Sequence, residues 1–258
     1  MSFKLVICDW AGTTVDYGCF APVNAFERAF RSCGIEPTVD EIRGPMGMLK
    51  RDHIRTMLEM PRIHELWLDK HGQEPDDKAV EEVYHVFEES LMQSLSDYAS
   101  PKPGTVETVA KLREMGLKIG STTGYTDAMM EVVTKSAAAQ GYAPDVCFTP
   151  DSTGGLGRPY PYMIYANMRK FDIASVSEVV KIGDTVSDIR EGVNAGVVSL
   201  GVLEGSSVVG LTEAEYKALA DTERKLILDN AREKLTNAGA ADVLLNISEL
   251  PAWIEAHS

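Results

Sequence analysis

Long apolar runs are missing from this sequence. None reaches the roughly 18 residues that a membrane span needs, so no membrane role is expected. The pattern of a secretory signal is missing as well: Met1-Ser2-Phe3-Lys4 leads straight into a strand-like run, without a charged segment, a long apolar stretch and a cleavage site. A cytoplasmic location is expected. Cysteine is sparse, and Cys8, Cys19, Cys33 and Cys147 show neither CxxC spacing nor a disulfide framework, which points to reduced thiols. Positive charge is in short supply: 25 Lys and Arg stand against 39 Asp and Glu, a net charge of −14. Chains that neutralise the phosphates of DNA or RNA are usually basic, so no nucleic-acid partner is expected. Any anionic ligand must be held by local positive charge against an unfavourable overall field. No repeat or low-complexity segment is visible.

What is present reads as a globular enzyme. The 258 residues, 44% of them hydrophobic, suffice for a well-buried core in one large domain or a domain with an insert. Short β-like runs lie at Phe3 to Cys8, Leu117 to Thr122, Val146 to Thr149, Val179 to Ile182, Val197 to Val202 and Val243 to Leu245. Helical patterns separate them, as at Val106 to Met115, Asp127 to Gln140 and Tyr160 to Phe171. Nearly continuous Val/Ile/Leu strands alternating with helices predict an α/β fold whose parallel sheet is covered on both faces.

One stretch breaks the alternation. From about Cys19 to Ser100 no strand is evident, whereas Asn24 to Cys33, Leu49 to Glu59, Ile63 to Lys70 and Asp76 to Leu95 look helical. Pro61 and Gly72-Gln73-Glu74-Pro75 punctuate them. The stretch is too long for a loop. It predicts an all-helical insert placed just after the first strand, with Pro101-Lys102-Pro103-Gly104 marking the return to the sheet.

Ligands of parallel α/β sheets bind at the carboxyl ends of the strands, and four strands here end in chemistry-bearing residues. The first gives Asp9, followed by Trp10-Ala11-Gly12-Thr13-Thr14. The second gives Ser121-Thr122-Thr123-Gly124, and the third leads to Gly157-Arg158-Pro159. The fourth gives Gly183-Asp184-Thr185-Val186-Ser187-Asp188. Taken singly, each is ordinary: Asp9 as a turn former, Thr122 or Thr123 as a helix cap, Arg158 as a surface residue, Asp184 and Asp188 as acids at a helix start. Taken together, a nucleophilic carboxylate, a hydroxyl donor, a cation and a metal-binding acid pair make a complete phosphoryl-transfer site.

This order resembles the haloacid dehalogenase superfamily. Asp9 falls at that superfamily's nucleophile and Thr123 at its hydroxyl motif, with Ser121 and Thr122 beside it. Arg158 stands where Lys is more usual, and Asp184 and Asp188 match the GDxxxD acidic motif. The resemblance implies a Rossmann-like parallel sheet core, residues 1–18 and 100–258, with residues 19–99 as a mobile helical cap. One departure is informative. Most phosphatases and phosphomutases of the superfamily read DxD at the first motif, the second Asp protonating a departing alkoxide. Ala11 occupies that position here and can offer a metal only its backbone carbonyl.

The insert carries Pro45-Met46-Gly47-Met48-Leu49-Lys50-Arg51-Asp52-His53. If helical, Lys50 and His53 share a face. A lysine among apolar groups and near another cation can lose its proton and become a nucleophilic amine; the ordinary alternative is a snorkelling surface lysine. With Asp9 to Gly18, Met46 to Lys50, Gly120 to Tyr125, Gly157 to Pro161 and Gly183 to Asp188, the sequence resembles the phosphonatase family within that superfamily. The resemblance implies hydrolysis of the C–P bond of a small phosphonate, phosphonoacetaldehyde, through a Schiff base on Lys50 and an aspartyl phosphate on Asp9. It also implies a homodimer and a place in 2-aminoethylphosphonate degradation. Mg²⁺ is expected on Asp9, the Ala11 carbonyl, Asp184 and Asp188. Arg158 and Thr123 are expected on the phosphonate, Gly12 and Thr13 beside it, and His53 as a proton shuttle. Cys19, Met46 and Tyr125 are expected to line the pocket. The competing readings are a phosphatase or phosphomutase for a small phosphate ester, a metal-free dehalogenase, and a phosphate-dependent binding protein that retains the scaffold.

Overall fold

The structure is a computed structural model that describes residues 2–258. Six strands, β1 (Leu5–Cys8), β2 (Lys118–Thr122), β3 (Val146–Phe148), β4 (Val179–Gly183), β5 (Val198–Val202) and β6 (Asp242–Leu244), form one sheet in the order β3-β2-β1-β4-β5-β6. Every pairing is parallel. This is the doubly wound order, and its direction reverses between β1 and β4, where such sheets open a crevice at their carboxyl ends. The register aligns Cys8 with Ser121 on one side and Ile182 on the other, so the residues just past β2, β1 and β4 emerge side by side. All four residues of β1 and all five of β4 are buried, as expected for central strands covered on both faces.

Between β1 and α6 (Thr105–Glu114) lie five α-helices: α1 (Phe20–Ser32), α2 (Val39–Arg43), α3 (Lys50–Leu58), α4 (Pro61–His71) and α5 (Asp77–Ser94). No strand interrupts them among the described residues, apart from isolated bridges near Val15 and Pro101. The local signals explain their ends. Asp76 accepts the N–H groups of Lys78 and Ala79 at the start of α5, and Gly72 closes α4 at φ 69°. Pro61, read above as punctuation, is the first residue of α4, where its missing N–H has no intrahelical partner to lose. The short helix α2 escapes periodicity; it is set by a capping box between Thr38 and Glu41. The helices share an apolar interior in which Phe26 stacks on Phe87 with centroids 4.2 Å apart.

The remaining helices are α7 (Asp127–Ala138), α8 (Tyr162–Lys170), α9 (Val186–Ala195), α10 (Glu213–Ala218), α11 (Asp221–Asn237) and α12 (Leu250–His257), of which α8, α9 and α11 pack directly on strands of the sheet. The start of α9 matters for the site. Thr185 and Asp188 form a reciprocal capping box, so the last acid of the GDxxxD motif is fixed by the helix it begins.

Candidate active site

The chain leaves β1 at Asp9 and folds back at once. The N–H groups of Thr13, Thr14 and Val15 all reach the Trp10 carbonyl, and the Thr14 hydroxyl donates to the Asp9 carbonyl. The turn needs Gly12 at φ 87°, and a Cβ there would overlap the Asp184 carboxylate. Thr13 Oγ1 lies 3.1 Å from Asp9 Oδ2 and 3.0 Å from Asp184 Oδ1, sharing one proton between two acids.

Asp9, Asp184 and Asp188 are buried and bring oxygens within 4.8 Å of one another. Their environments separate them. Burial, with the charges of Asp9 and Asp188 alongside, pushes the Asp184 carboxyl well above the usual range. Burial also pushes Asp188 up, but Arg158 and Lys181 more than offset it and hold Asp188 below its ordinary value. Asp188 is saturated: Oδ1 meets Lys181 Nζ at 2.8 Å and Arg158 Nη1 at 3.0 Å, and Oδ2 accepts the N–H and hydroxyl of Thr185. The Ala11 carbonyl accepts no hydrogen bond among the described residues. The buried acid cluster, crowded with negative charge and built of hard oxygen donors, fits a divalent cation. Asp9, Asp184 and the Ala11 carbonyl are the donors with capacity to spare. Asp188, expected above as a ligand, spends its oxygens on Lys181, Arg158 and its own helix.

Arg158 is the hub on the other side. Its Nη2 donates to Asp9 Oδ1 at 2.8 Å and to Thr122 Oγ1 at 2.9 Å, and its Nε to Glu191 Oε2 at 3.0 Å. Three acids around one buried guanidinium raise its pKa and keep it charged.

Lys50, the first residue of α3, approaches from the insert. It is 3% exposed, and burial, aided by the Arg158 charge against the opposing pull of Cys19 and Asp9, lowers its pKa to about 8. Lys50, Asp9, Ala11, Cys19, Met46, Thr123, Tyr125, Arg158 and Asp188 all line one cavity. Its volume of about 20 Å³ is little more than a single water requires.

Most of the residues singled out from the sequence therefore converge. Asp184, Gly12 and Thr13 lie immediately behind Asp9 rather than in the cavity wall. Thr123 faces the cavity while Thr122 turns toward Arg158 and Glu191. His53 does not line the cavity. It is fully buried one turn beyond Lys50, stacked on Phe26 at 3.9 Å, and neither ring nitrogen has a partner among the described residues. Burial, with the Lys50 charge beside it, holds its pKa well below the ordinary histidine value, so the ring is neutral. Cys19 immediately precedes α1, in a left-handed conformation, with its thiol pushed well up by burial.

Three charged residues of the site were not singled out: Lys181, Glu191 and Lys102. Lys181 carried a readable signal, a lysine inside the apolar strand Val179-Val180-Lys181-Ile182, which must find acids if the strand is buried. Lys102 is buried and donates to the carbonyls of Gly12 at 2.5 Å and Glu204 at 2.6 Å. Nothing local distinguishes it from a linker lysine.

The chain is similar to known proteins over nearly its whole length. A model of the haloacid dehalogenase-like hydrolases matches residues 3–196. The chain is 50% identical over 254 residues to a phosphonoacetaldehyde hydrolase of Lysinibacillus sphaericus, covering 98% of this chain and 94% of that one. It is 49% identical over 247 residues to a bifunctional phosphonoacetaldehyde hydrolase/aminoethylphosphonate transaminase of Clostridioides difficile, covering 96% of this chain and 39% of that protein. Among solved structures, a phosphonoacetaldehyde hydrolase-like protein of Oleispira antarctica superposes with a TM-score of 0.95 at 34% identity, covering 99% of this chain and 92% of that one.

Proposed function

The chain belongs to the haloacid dehalogenase-like hydrolases and, within them, to the phosphonoacetaldehyde hydrolase family, and on that premise we propose that it hydrolyses the C–P bond of phosphonoacetaldehyde to acetaldehyde and phosphate. One observation carries the reading. A buried lysine with its pKa lowered to about 8 faces the same cavity as Asp9, in a protein whose Ala11 cannot protonate a leaving alkoxide.

The two features complement each other chemically. Direct rupture of a C–P bond would expel a carbanion. Instead, the Lys50 amine adds to the aldehyde carbon and water leaves, giving a protonated imine. Asp9 attacks phosphorus, the C–P electron pair becomes a C=C bond as the C=N π pair moves onto nitrogen, and an enamine and an aspartyl phosphate result. Water then attacks the acyl phosphate and frees Asp9 and inorganic phosphate. The enamine takes a proton at carbon, and hydrolysis of the imine returns Lys50 and acetaldehyde. One water is consumed overall.

Arg158, displaced from part of its contact with Asp9, and Thr123 bind the phosphonate oxygens. Tyr125 and Phe26 keep the amine in an apolar setting, their ring centres 4.9 and 5.9 Å from Lys50 Nζ. Asp9, Asp184 and the Ala11 carbonyl hold Mg²⁺, which when bound neutralises the phosphonate charge that would otherwise repel Asp9. His53, neutral and enclosed, serves to pack Phe26 against the amine rather than to relay protons through the cavity.

The cavity is too small for the substrate as it stands, which supports residues 19–99 opening and closing as a cap on residues 1–18 and 100–258. A homodimer and a cytoplasmic location belong to the same reading. The bifunctional relative, whose name pairs this hydrolase with an aminoethylphosphonate transaminase, supports a role in 2-aminoethylphosphonate degradation. The test is release of acetaldehyde and phosphate from phosphonoacetaldehyde, with and without Mg²⁺, beside a generic phosphate ester. Turnover of the ester and not the phosphonate would replace this reading with a phosphatase.

A further inference from the structure

Arg43, the last residue of α2, leaves the insert and reaches into the sheet domain's loop after β5. Its Nη1 donates to the Ser207 carbonyl at 3.1 Å, to Ser207 Oγ at 3.4 Å and to the Gly18 carbonyl at 2.9 Å, and its Nη2 contacts the Gly210 carbonyl at 3.4 Å. The guanidinium lies 5.1 Å from the Phe20 ring centre. Gly210 has φ 68°, and a Cβ there would come within 3.0 Å of the Arg43 head group, so the loop is shaped to admit it. Ser207, 1% exposed, turns its own N–H the other way and donates it to Asp184 Oδ2 at 2.6 Å. Thr13 holds the opposite oxygen of Asp184. The carboxylate is therefore oriented from two sides, one by the turn after β1 and the other by a loop that Arg43 fastens.

We infer that Arg43 is a positioning residue: by seating on the 205–210 loop it fixes the Ser207 N–H, and so sets Asp184 in the orientation that receives the cation when the insert rests on the sheet domain. The inference deepens the proposed function and rests on Asp184 being a metal ligand. Partners that orient a ligating carboxylate are worth about 10- to 100-fold in metal affinity. Lysine, with one compact ammonium, cannot span the Gly18, Ser207 and Gly210 carbonyls as the planar fork does. A cavity of about 440 Å³ beside Arg43, lined in part by Asp40, Ser207 and Gly210, leaves room for a free guanidinium ion to enter once the side chain is cut back.

The test is Mg²⁺ binding to the substrate-free protein, titrated calorimetrically for wild type, Arg43→Lys, Arg43→Met and Arg43→Ala, with a thermal melt of each. Arg43→Met is expected to bind Mg²⁺ about 10- to 100-fold more weakly, Arg43→Lys to fall between it and wild type, and guanidinium at low millimolar concentration to restore part of the affinity of Arg43→Ala. A residue that merely glues the insert down would lower the melting temperature and leave Mg²⁺ affinity within twofold of wild type, and that result overturns the inference. If Arg43→Met does not fold, Arg43→Lys decides: unchanged Mg²⁺ affinity together with a lowered melt counts against the inference. Failure of the wild type to bind Mg²⁺ would instead strike the metal assignment on which the inference stands.

Discussion

Lys50 sits over the face of Tyr125, its nitrogen 4.9 Å from the ring centre, and the Tyr125 hydroxyl is buried with no hydrogen-bond partner among the described residues. The amine thus has a π-face and apolar walls where a carboxylate would have kept it protonated. Treatment with acetaldehyde and borohydride is expected to leave an ethyl group on Lys50, located by peptide mapping, with irreversible loss of turnover. Lys50→Arg keeps the charge and should be inactive, since a guanidinium does not form this imine. An unmodified Lys50 together with an active Lys50→Arg protein would sink the Schiff-base mechanism.

The pH dependence follows from the same lysine. Burial lowers its pKa to about 8, and only the neutral amine attacks the aldehyde. The rate of borohydride trapping at fixed acetaldehyde should therefore climb about tenfold per pH unit below that value and level off above it. A profile still rising steeply beyond pH 10 would mean that Lys50 is not held in the environment described.

Asp9→Asn should lower kcat by on the order of 10⁴ or more, as loss of a nucleophile does in enzymes whose groups act as a unit. The amide is nearly isosteric, so circular dichroism should be unchanged. Substantial residual turnover would rule out the aspartyl phosphate.

Chelation should abolish turnover and Mg²⁺ should restore it. A second signature is thermal. Asp9, Asp184 and Asp188 crowd together in a buried site, and a cation that binds only the folded chain stabilises it by mass action. The melting temperature should rise with Mg²⁺ concentration in the absence of substrate. A melt indifferent to millimolar Mg²⁺ would place the cation elsewhere or nowhere.

Glu191 is fully buried between Arg158 Nε at 3.0 Å and Lys181 Nζ at 3.7 Å, and also accepts the Thr122 hydroxyl. Glu191→Leu leaves two buried cations short of a partner and should cost about 3–5 kcal/mol in urea unfolding. Adding Lys181→Met should recover part of that loss, because one of the unpaired charges is then gone. A single-mutant cost below about 1 kcal/mol would mean that solvent reaches the cluster.

Asp9, Thr123 and Asp184 were legible because each follows a short apolar run, and a parallel sheet delivers its strand ends to one rim. Lys50 was read differently, from its apolar flank, the absent acid at Ala11 and the resemblance carried by Met46 to Lys50, and the structure buries it in the same cavity as Asp9. Neighbours were harder. Thr122 ends β2 and Thr123 is the residue after it, and only the folded chain sends the first to Arg158 and the second to the cavity. His53 shares a face with Lys50, as helical spacing predicts, yet packing against Phe26 shuts it away from the cavity.

The sequence by itself determined the strand-and-helix alternation, the helical insert and which reactive side chains stand at the strand ends, because these depend on periodicity and on residue type over a few neighbouring positions. The tertiary structure alone decided who holds them. Arg158 meets Asp9 across 149 positions, Ser207 meets Asp184 across 23 and Lys102 meets Gly12 across 90. Such partners answer to the shape of a buried, low-dielectric site in which each charge and each polar hydrogen must be matched by whatever the folded chain brings within about 3 Å. No local pattern in the chain encodes that match.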